Sequence, residues 1–233
     1  MGKIRALSFD MYRTLLDTKD FHLQAVDAIL TRAGADSVDR GVFHSRWDEL
    51  YEDVHIELGQ HGFIRERDVA IESLRRIIRE FDVDIDPVAG IDLWLNQYEK
   101  AELFPEVEEV LNILADRYPM VVTSNVDNDD PGYAVFVGKN LPFVDIITSE
   151  DCQSYKPHGK IFQAALSVLK CQPQEVLHIG DSQRSDVMGA KKAGMAAAWL
   201  NRKGEKLKPD IEPDYEIANL RELIHLEIQN LRW

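Results

Sequence analysis

Short apolar segments, and the helical stretches between them, constrain the fold of this chain more than any other feature. One apolar run opens the chain, and from residue 104 onward four more alternate with stretches of helical period. Strands that alternate with helices favour an α/β fold, with a mostly parallel sheet covered by helices on both faces. The predicted strands are residues 4–9, 120–123, 143–148, 176–179 and 195–200. The predicted helices are residues 106–118 and 160–169, one that ends at 193, and 220–231.

A long stretch without any strand pattern separates the first predicted strand from the second. Apolar residues in it recur at spacings of three and four, which predicts amphipathic helices. Breaks that contain glycine or proline divide the stretch into four helices. We therefore expect an all-helical subdomain, residues 17–100, inserted into an α/β core domain made of residues 1–16 and 101–233.

Composition and charge limit the classes of partner. The 233 residues are 45% hydrophobic and 29% charged, as in folded globular proteins, and no run approaches the ~18 apolar residues of a membrane span. The 41 acidic and 27 basic residues give a net charge of −14, which disfavours nucleic acid and anionic membranes as main ligands. The acid at position 10 interrupts the N-terminal apolar run, and Cys152 and Cys171 form no disulfide framework or zinc spacing. These features predict a cytoplasmic protein.

Polar residues follow three of the predicted strands, at the point where each strand ends. Asp10 follows the first strand, Ser124 and Asn125 follow the second, and Asp181 follows the fourth. Ligands of open α/β sheets bind at the carboxyl ends of the strands, so these side chains are expected to converge on one cleft. Lys156, in the loop before the helix at 160–169, is positioned to join them.

Together these segments resemble the motifs of the haloacid dehalogenase (HAD) superfamily of hydrolases, over essentially the whole chain. The similar segments are Asp10-Met11-Tyr12-Arg13-Thr14-Leu15-Leu16 for the first motif, Ser124-Asn125 for the second, Lys156-Pro157 for the third, and Gly180-Asp181-Ser182 with Asp186 for the fourth. The helical insertion resembles the helical, C1-type cap of that superfamily. The resemblance implies a hydrolase with a Rossmann-like core.

The resemblance also implies roles for the catalytic residues. Asp10 would be a nucleophile, dividing a hard hydrolysis into the formation and breakdown of a covalent aspartyl intermediate. Lys156 would neutralise this nucleophile and the transferring group. Thr14 and Ser124 would donate hydrogen bonds to a small anionic substrate, with Asn125 beside them in the second motif.

A magnesium site is implied in the same way. Mg²⁺ prefers carboxylate, carbonyl and water oxygens in an octahedral shell. By resemblance, Asp10, the backbone carbonyl of Tyr12 and Asp181 would be its protein ligands, and Asp186 would be a further ligand or a neighbour of the ligands. The alternative for Asp181 and Asp186 is a helix cap and an acid in the first turn.

Two residues of the first motif depart from the phosphatase pattern. Tyr12 stands where family phosphatases carry a second Asp as general acid and base, and a tyrosine is a poor base at neutral pH. Tyrosine there is typical of the 2-haloacid dehalogenase branch, which displaces halide without a metal. That branch, however, generally has Ser at the position of Asp181 and Tyr at the position of Phe162. Arg13 stands where Gly is common.

These features favour a Mg²⁺-dependent phosphatase of a small phosphorylated metabolite, since two carboxylates facing one cleft need a cation between them. The first alternative is a metal-independent 2-haloacid dehalogenase, and the second is a binding or regulatory protein that has lost turnover. The missing acid or base would come from the cap, from the substrate or from a good leaving group. The histidines of the helical insertion are 22, 44, 55 and 61, each expected to be an ordinary surface or core residue.

Overall fold

The computed structural model describes residues 3–59 and 62–226. The described chain divides into two compact units. The first, called here the α/β unit, is drawn from Met1–Asp17, Glu102–Asn125 and Lys139–Trp233. The second, called the helical unit, is drawn from Thr18–Ala101 and Val126–Gly138.

The α/β unit is built on a parallel sheet. The strands of the chain are β1 (Ala6–Phe9), β2 (Leu16–Asp17), β3 (Glu102–Leu103), β4 (Met120–Ser124), β5 (Asp145–Thr148), β6 (Val176–Gly180), β7 (Ala196–Leu200) and β8 (Tyr215–Ile217). Six of them form one sheet in the order β5-β4-β1-β6-β7-β8, and every neighbouring pair in it is parallel. All residues of β1, β4, β6 and β7 are buried, which explains why these strands are continuous apolar runs in the sequence.

Some helices cover the sheet of the α/β unit, and others make up the helical unit. They are α1 (Phe21–Arg32), α2 (Arg40–Gly59), α3 (Glu66–Glu80), α4 (Pro87–Tyr98), α5 (Val107–Ala115), α6 (Pro131–Gly138), α7 (Ser149–Cys152), α8 (Gly159–Leu169), α9 (Gly189–Lys192) and α10 (Glu222–His225). In α8, Ile161, Phe162, Ala165 and Leu169 form the stripe that packs into the core beneath the sheet. The predicted α/β class, with a mostly parallel sheet and an inserted helical region, is confirmed.

The helical unit has its own apolar core. Buried residues of α1 to α4 form one cluster around Trp47, whose indole N–H donates to Ser73 Oγ at 2.9 Å. Residues 126–138, including α6, belong to this unit, although the sequence pattern assigned them to the core domain. The Asp127 carboxylate explains this, because it accepts hydrogen bonds from the backbone N–H groups of Glu66 and Arg67 at 3.1 and 2.9 Å. It thereby caps the N-terminus of α3.

Several short elements differ from the sequence prediction. The antiparallel pair β2–β3 and the edge strand β8 were not predicted, because each is only two or three residues long. The predicted helix that ends at 193 is a π-helical turn over Gln183–Met188 followed by the short α9. Only Glu222–His225 of the predicted helix 220–231 is described as helix, and residues beyond 226 lie outside the described range. Among the residues that the structure describes, no helix combines the length and apolar character needed to cross a membrane.

Candidate active site

The carboxyl ends of three adjacent strands bring the predicted site residues together. Strand β1 lies between β4 and β6, and the last residue of β1, Phe9, is in register with Val122 and Ile179. Asp10 follows directly, and its backbone N–H donates to the Ile179 carbonyl at 2.8 Å. Ser124 ends β4, and Asp181 follows the end of β6. All of these residues belong to the α/β unit.

Lys156 is at the centre of this site. Its ammonium group donates to Asp10 Oδ1 at 2.7 Å, to Asp186 Oδ1 at 2.6 Å and to the Thr123 carbonyl at 2.9 Å. An ammonium has three N–H groups, so its donor capacity is fully used. Burial alone would lower the pKa of Lys156, but the charges of the two carboxylates and their hydrogen bonds outweigh it and raise that pKa. Lys156 therefore stays positively charged and fixes one oxygen of Asp10.

Asn125 holds the loop that carries Lys156. Its side-chain amide donates to the Lys156 carbonyl at 3.1 Å, and its Oδ1 accepts from the Lys156 backbone N–H at 2.7 Å. This two-way hydrogen bond joins the second predicted motif to the third. Asn125 is therefore in position to support Lys156, whereas Ser124 is buried beside it at the end of β4.

Asp186 is buried and accepts three hydrogen bonds. Besides Lys156, it contacts His178 Nε2 at 3.1 Å through Oδ1 and the Ser182 backbone N–H at 2.9 Å through Oδ2. Burial would raise the pKa of this carboxyl, but Lys156 and His178 outweigh it and hold the pKa well below its ordinary value. Asp186 is therefore a permanent anion that anchors Lys156.

His178 and Ser8 complete this network and were not predicted as site residues. The Nδ1 atom of His178 lies 3.0 Å from Ser8 Oγ, so the ring bridges Ser8 and Asp186. The two residues are register partners on β1 and β6. Polar residues at matching positions of two buried apolar strands are the sequence signal that could have identified them. Phe162, at the position where a dehalogenase would have Tyr, packs edge-on against the His178 ring at 5.2 Å.

Gly180 makes room for Asp186. A Cβ atom at position 180 would lie 2.3 Å from Asp186 Cγ and 2.4 Å from Oδ2, closer than real Cβ contacts allow. The Gly180-Asp181 sequence of the fourth motif therefore has a steric reason. Only glycine lets the end of β6 approach the buried carboxylate this closely.

Arg13 and Asp181 form an ion pair at the mouth of the site. Arg13 Nε lies 3.1 Å from Asp181 Oδ2. Arg13 has a φ of 60°, the left-handed region that favours glycine, so the turn expected of a Gly is formed by Arg instead. Burial raises the pKa of Asp181 to about 7, with Asp10 and Asp186 adding to it and Arg13 opposing it. Burial and the two neighbouring carboxyls therefore disfavour the ionised form of Asp181 more than Arg13 favours it.

The rest of the first motif forms the turn between β1 and β2. Tyr12 is part-buried and forms an isolated bridge with Leu16, while Thr14 is fully buried. The Thr14 hydroxyl is buried and has no hydrogen-bond partner among the described residues. The Thr14 carbonyl accepts from Arg202 Nη2 at 3.0 Å.

Arg202 is a support of this turn that the sequence did not reveal. Its guanidinium also pairs with Glu106 at 2.6 Å and lies 3.7 Å from the centre of the Phe104 ring. It is far along the chain from the turn it supports. No local pattern links residues 14 and 202, so only the fold brings them together.

The carboxylates of the site fit a hard divalent cation. One oxygen from each of Asp10, Asp181 and Asp186 lies within 4.8 Å of the others. Burial raises the pKa of Asp10, and Asp186 adds to this while Lys156 opposes it. When all three carboxyls are ionised, their three negative charges exceed the two positive charges of Lys156 and Arg13 by one. Oxygen ligands with an excess of negative charge are what Mg²⁺ requires.

Known proteins with similar sequences and folds include both dehalogenases and phosphatases. Haloacetate dehalogenase H-2 of Moraxella sp. (strain B) is 25% identical over 229 residues, covering 97% of this chain and 99% of its own. Glyceraldehyde 3-phosphate phosphatase of Methanopyrus kandleri is 27% identical over 183 residues, covering 76% and 78%. The HAD-hydrolase YfnB of Bacillus subtilis, solved bound to magnesium, superimposes with a TM-score of 0.77 at 22% identity, covering 99% of this chain and all of its own.

The relatives differ in activity, but one family covers most of the chain. Residues 4–194 match the family of haloacid dehalogenase-like hydrolases. This range includes every predicted motif residue from Asp10 to Asp186. The resemblance seen in the motifs and the superposition of the fold agree with this assignment. The chain belongs to the haloacid dehalogenase-like hydrolases.

Proposed function

We propose that this hydrolase is a Mg²⁺-dependent phosphatase of a small phosphorylated metabolite. The observation that carries the proposal is the cluster of three carboxylates, from Asp10, Asp181 and Asp186, whose oxygens lie within 4.8 Å of one another. With Lys156 and Arg13 charged, this site keeps a net negative charge. A phosphate dianion would be repelled by it, and a divalent cation reverses the sign of the site.

Asp10 is the proposed nucleophile. Lys156 fixes Asp10 Oδ1, which leaves Oδ2 as the atom that attacks phosphorus. The bond from phosphorus to the leaving oxygen breaks as the aspartyl phosphate forms, and water then hydrolyses this intermediate to phosphate and free Asp10. Asn125 and Asp186 act through Lys156, since they hold its backbone and its ammonium group. Ser124 and Thr14 are proposed to donate to the phosphoryl oxygens. Asp10, Asp181 and the Tyr12 carbonyl would hold the Mg²⁺, which supplies charge neutralisation on the phosphoryl group when bound.

Tyr12 restricts which leaving groups a substrate can have. A phenol with an ordinary pKa near 10 is a poor proton donor and a poorer base at neutral pH. With no second Asp after Asp10, the leaving oxygen departs with little help from a general acid. We therefore propose substrates whose leaving group is a weak base, such as acyl or aryl phosphates, over alkyl phosphates.

A second candidate activity is the hydrolysis of 2-haloacids. Tyr12 and the Arg13–Asp181 ion pair support it, because halide leaves without a proton and Arg13 supplies positive charge without a metal. Haloacetate dehalogenase H-2 is similar over nearly the whole chain. In this reaction Asp10 would attack carbon, displace halide and form an ester that water then cleaves.

One assay panel separates the two candidates. Acetyl phosphate, aryl phosphates and alkyl phosphates, together with 2-chloropropionate, are incubated with the protein in Mg²⁺ and in EDTA. The phosphatase predicts phosphate release that needs Mg²⁺ and that falls steeply as the leaving group becomes more basic. Chloride release in EDTA, with no phosphate release in Mg²⁺, would overturn it in favour of the dehalogenase.

The variant Asp10→Asn is the control for both activities. Asparagine is nearly the same size as aspartate and keeps an oxygen that can accept from Lys156, so the fold is expected to persist. Either hydrolysis should fall at least about 10³-fold, because the attacking atom is lost. Full activity in this variant would rule out Asp10 as the nucleophile.

A cytoplasmic location stays a prediction from the sequence.

A further inference from the structure

The helical unit contains a second cluster of possible metal ligands. His22, at the start of α1, has its Nδ1 atom 2.9 Å from Asp48 Oδ1. His44, one turn before Asp48 on α2, has its Nδ1 atom 3.4 Å from Asp48 Oδ2. One ligand atom from each of these three residues lies within 4.8 Å of the others. This His-His-Asp cluster shares no residue with the carboxylate site and differs from it in chemistry.

The spacing of the cluster suits a tetrahedral ion. Residues four apart on a helix project from the same face, and pairs at this spacing are used to chelate zinc. With bonds of about 2.0–2.1 Å, two ligand atoms of a tetrahedral site lie about 3.3 Å apart. The observed separations are of this size, although they end on different carboxylate oxygens: 2.9 Å from His22 Nδ1 to Asp48 Oδ1, and 3.4 Å from His44 Nδ1 to Asp48 Oδ2. The two helices therefore already hold the three ligands at a distance that an ion can bridge.

Aromatic rings surround the imidazole of His22. His22 is packed among rings, with centroid distances of 4.6 Å to His44, 4.6 Å to Trp47 and 5.0 Å to Trp94. Its Nε2 atom is buried and has no hydrogen-bond partner among the described residues. The other ring nitrogen of His22, Nδ1, faces Asp48, and His44 presents its own Nδ1 to the same carboxylate.

We propose that His22, His44 and Asp48 bind a Zn²⁺ ion that joins α1 to α2 within the helical unit. Imidazole with one carboxylate selects borderline transition metals, whereas Mg²⁺ prefers an all-oxygen shell. Three protein ligands leave a fourth position for water. An ion bound only to the folded state stabilises it, so the expected role is to fix the packing of α1 on α2.

The first test is zinc binding by the full-length protein. Isothermal titration with Zn²⁺ is carried out in saturating Mg²⁺, and again on Asp181→Asn, so that the carboxylate site contributes no zinc signal. We expect one equivalent of Zn²⁺ in both proteins, together with a raised melting temperature. Absence of binding, or binding that disappears in Asp181→Asn, would overturn the proposal. Neither result bears on phosphatase activity.

Variants then identify the ligands. His44→Ala and Asp48→Asn should each weaken Zn²⁺ binding by about tenfold or more, because the first removes an imidazole ligand and the second replaces a carboxylate by a neutral amide. His55→Ala is the matched control on the same helix and should bind as the wild type does. Asp48 is half exposed, so Asp48→Asn is expected to fold even if His44→Ala does not. Equal affinity in Asp48→Asn and His55→Ala would contradict the assignment.

Substitution with Co²⁺ reports the ligand type. A tetrahedral site of nitrogen and oxygen ligands gives visible d–d absorption without a thiolate charge-transfer band. We expect this spectrum in the wild type and its loss in His44→Ala. A thiolate band would place the metal at Cys152 or Cys171 and overturn the proposal.

Discussion

Charged groups are arranged differently in the two units. In the α/β unit, Lys156 pairs with Asp10 and Asp186, and the side chain of Lys156 is only 2% exposed. In the helical unit, by contrast, the pair of Arg46 with Glu80 is 35% and 44% exposed. Removing the partner of a buried ion is strongly destabilising, because water does not take the partner's place. The attraction between exposed ions is weak, because water screens it. The ion pairs of Lys156 therefore serve the site, whereas Arg46 and Glu80 form an ordinary surface pair.

The largest expected effect on stability comes from removing the cation of a buried ion pair. Replacing Lys156 by Met leaves Asp10 and Asp186 buried together without a cation, which is expected to lower the free energy of unfolding by about 3–5 kcal/mol. The matched variant in the helical unit is Arg46→Met, expected to lower it by about 1 kcal/mol or less. Urea unfolding monitored by circular dichroism measures both. Equal losses in the two variants would remove the distinction between the units.

The next effect concerns backbone packing. Gly180→Ala places a Cβ atom against Asp186, so either β6 or the carboxylate must move. We expect a loss of about 1–3 kcal/mol in the free energy of unfolding, together with reduced turnover. Gly138→Ala is the control in the helical unit, because nothing lies within 4 Å of a Cβ atom there. If Gly180→Ala behaves like Gly138→Ala in unfolding and in assay, the steric account of the fourth motif is wrong.

A smaller effect is expected from Arg13. Arg13→Gly suits the left-handed backbone and removes the cation that competes with a metal for Asp181. We expect Mg²⁺ to bind up to about tenfold more tightly, measured by titration calorimetry without substrate, since one charge contact near the surface contributes about 1 kcal/mol. Arg13→Lys keeps the charge and should change Mg²⁺ affinity less. Weaker Mg²⁺ binding in Arg13→Gly would show that Arg13 supports the site instead of competing for it.

Local patterns in the sequence predicted the five longer strands of the sheet, but not β2, β3 and β8. Buried strands are apolar runs, and the polar residues at their ends include Asp10 and Asp181, which have carboxylate oxygens within 4.8 Å of each other. The pairing of Arg13 with Asp181 was not predictable in this way, since nothing in either segment identifies the other. Arg202 was missed for the same reason. Those contacts depend on tertiary structure, which places residues from remote segments side by side.

The helical unit was predicted less completely. Its periodicity indicated four helices between residues 17 and 100, and these are α1 to α4. The same periodicity could not show that residues 126–138 join them, because that depends on hydrogen bonds from the N-terminus of α3 to Asp127. The His-His-Asp cluster was likewise invisible, since His22 and Asp48 are on different helices. His61 lies outside the described residues.

The smallest expected effect is a change of stability with pH, which can be compared for one carboxyl of each unit. Burial raises the pKa of Glu66 from 4.5 to about 7, with Asp127, Asp130 and Glu52 adding to it and the Tyr51 hydroxyl opposing it. Because the pKa is higher in the folded state, this contribution to stability is fully present below pH 4.5 and is lost as the pH rises through 7. Asp181 has a pKa raised to about 7 as well, so it is expected to act in the same direction.

Two isosteric variants separate these carboxyls. The glutamine of Glu66→Gln cannot ionise. Relative to the wild type, the free energy of unfolding of this variant should therefore rise by about 1 kcal/mol or less between pH 5 and pH 8. The effect is small because Glu66 is only part-buried and solvent screens its charge. Asp181→Asn should gain in the same direction, but saturating Mg²⁺ should reverse its advantage, because the wild-type carboxylate is then the stabilised form. Urea unfolding at the two pH values, with and without Mg²⁺, measures both differences. A Mg²⁺-dependent change in Glu66→Gln alone would place the metal in the helical unit and contradict the carboxylate site.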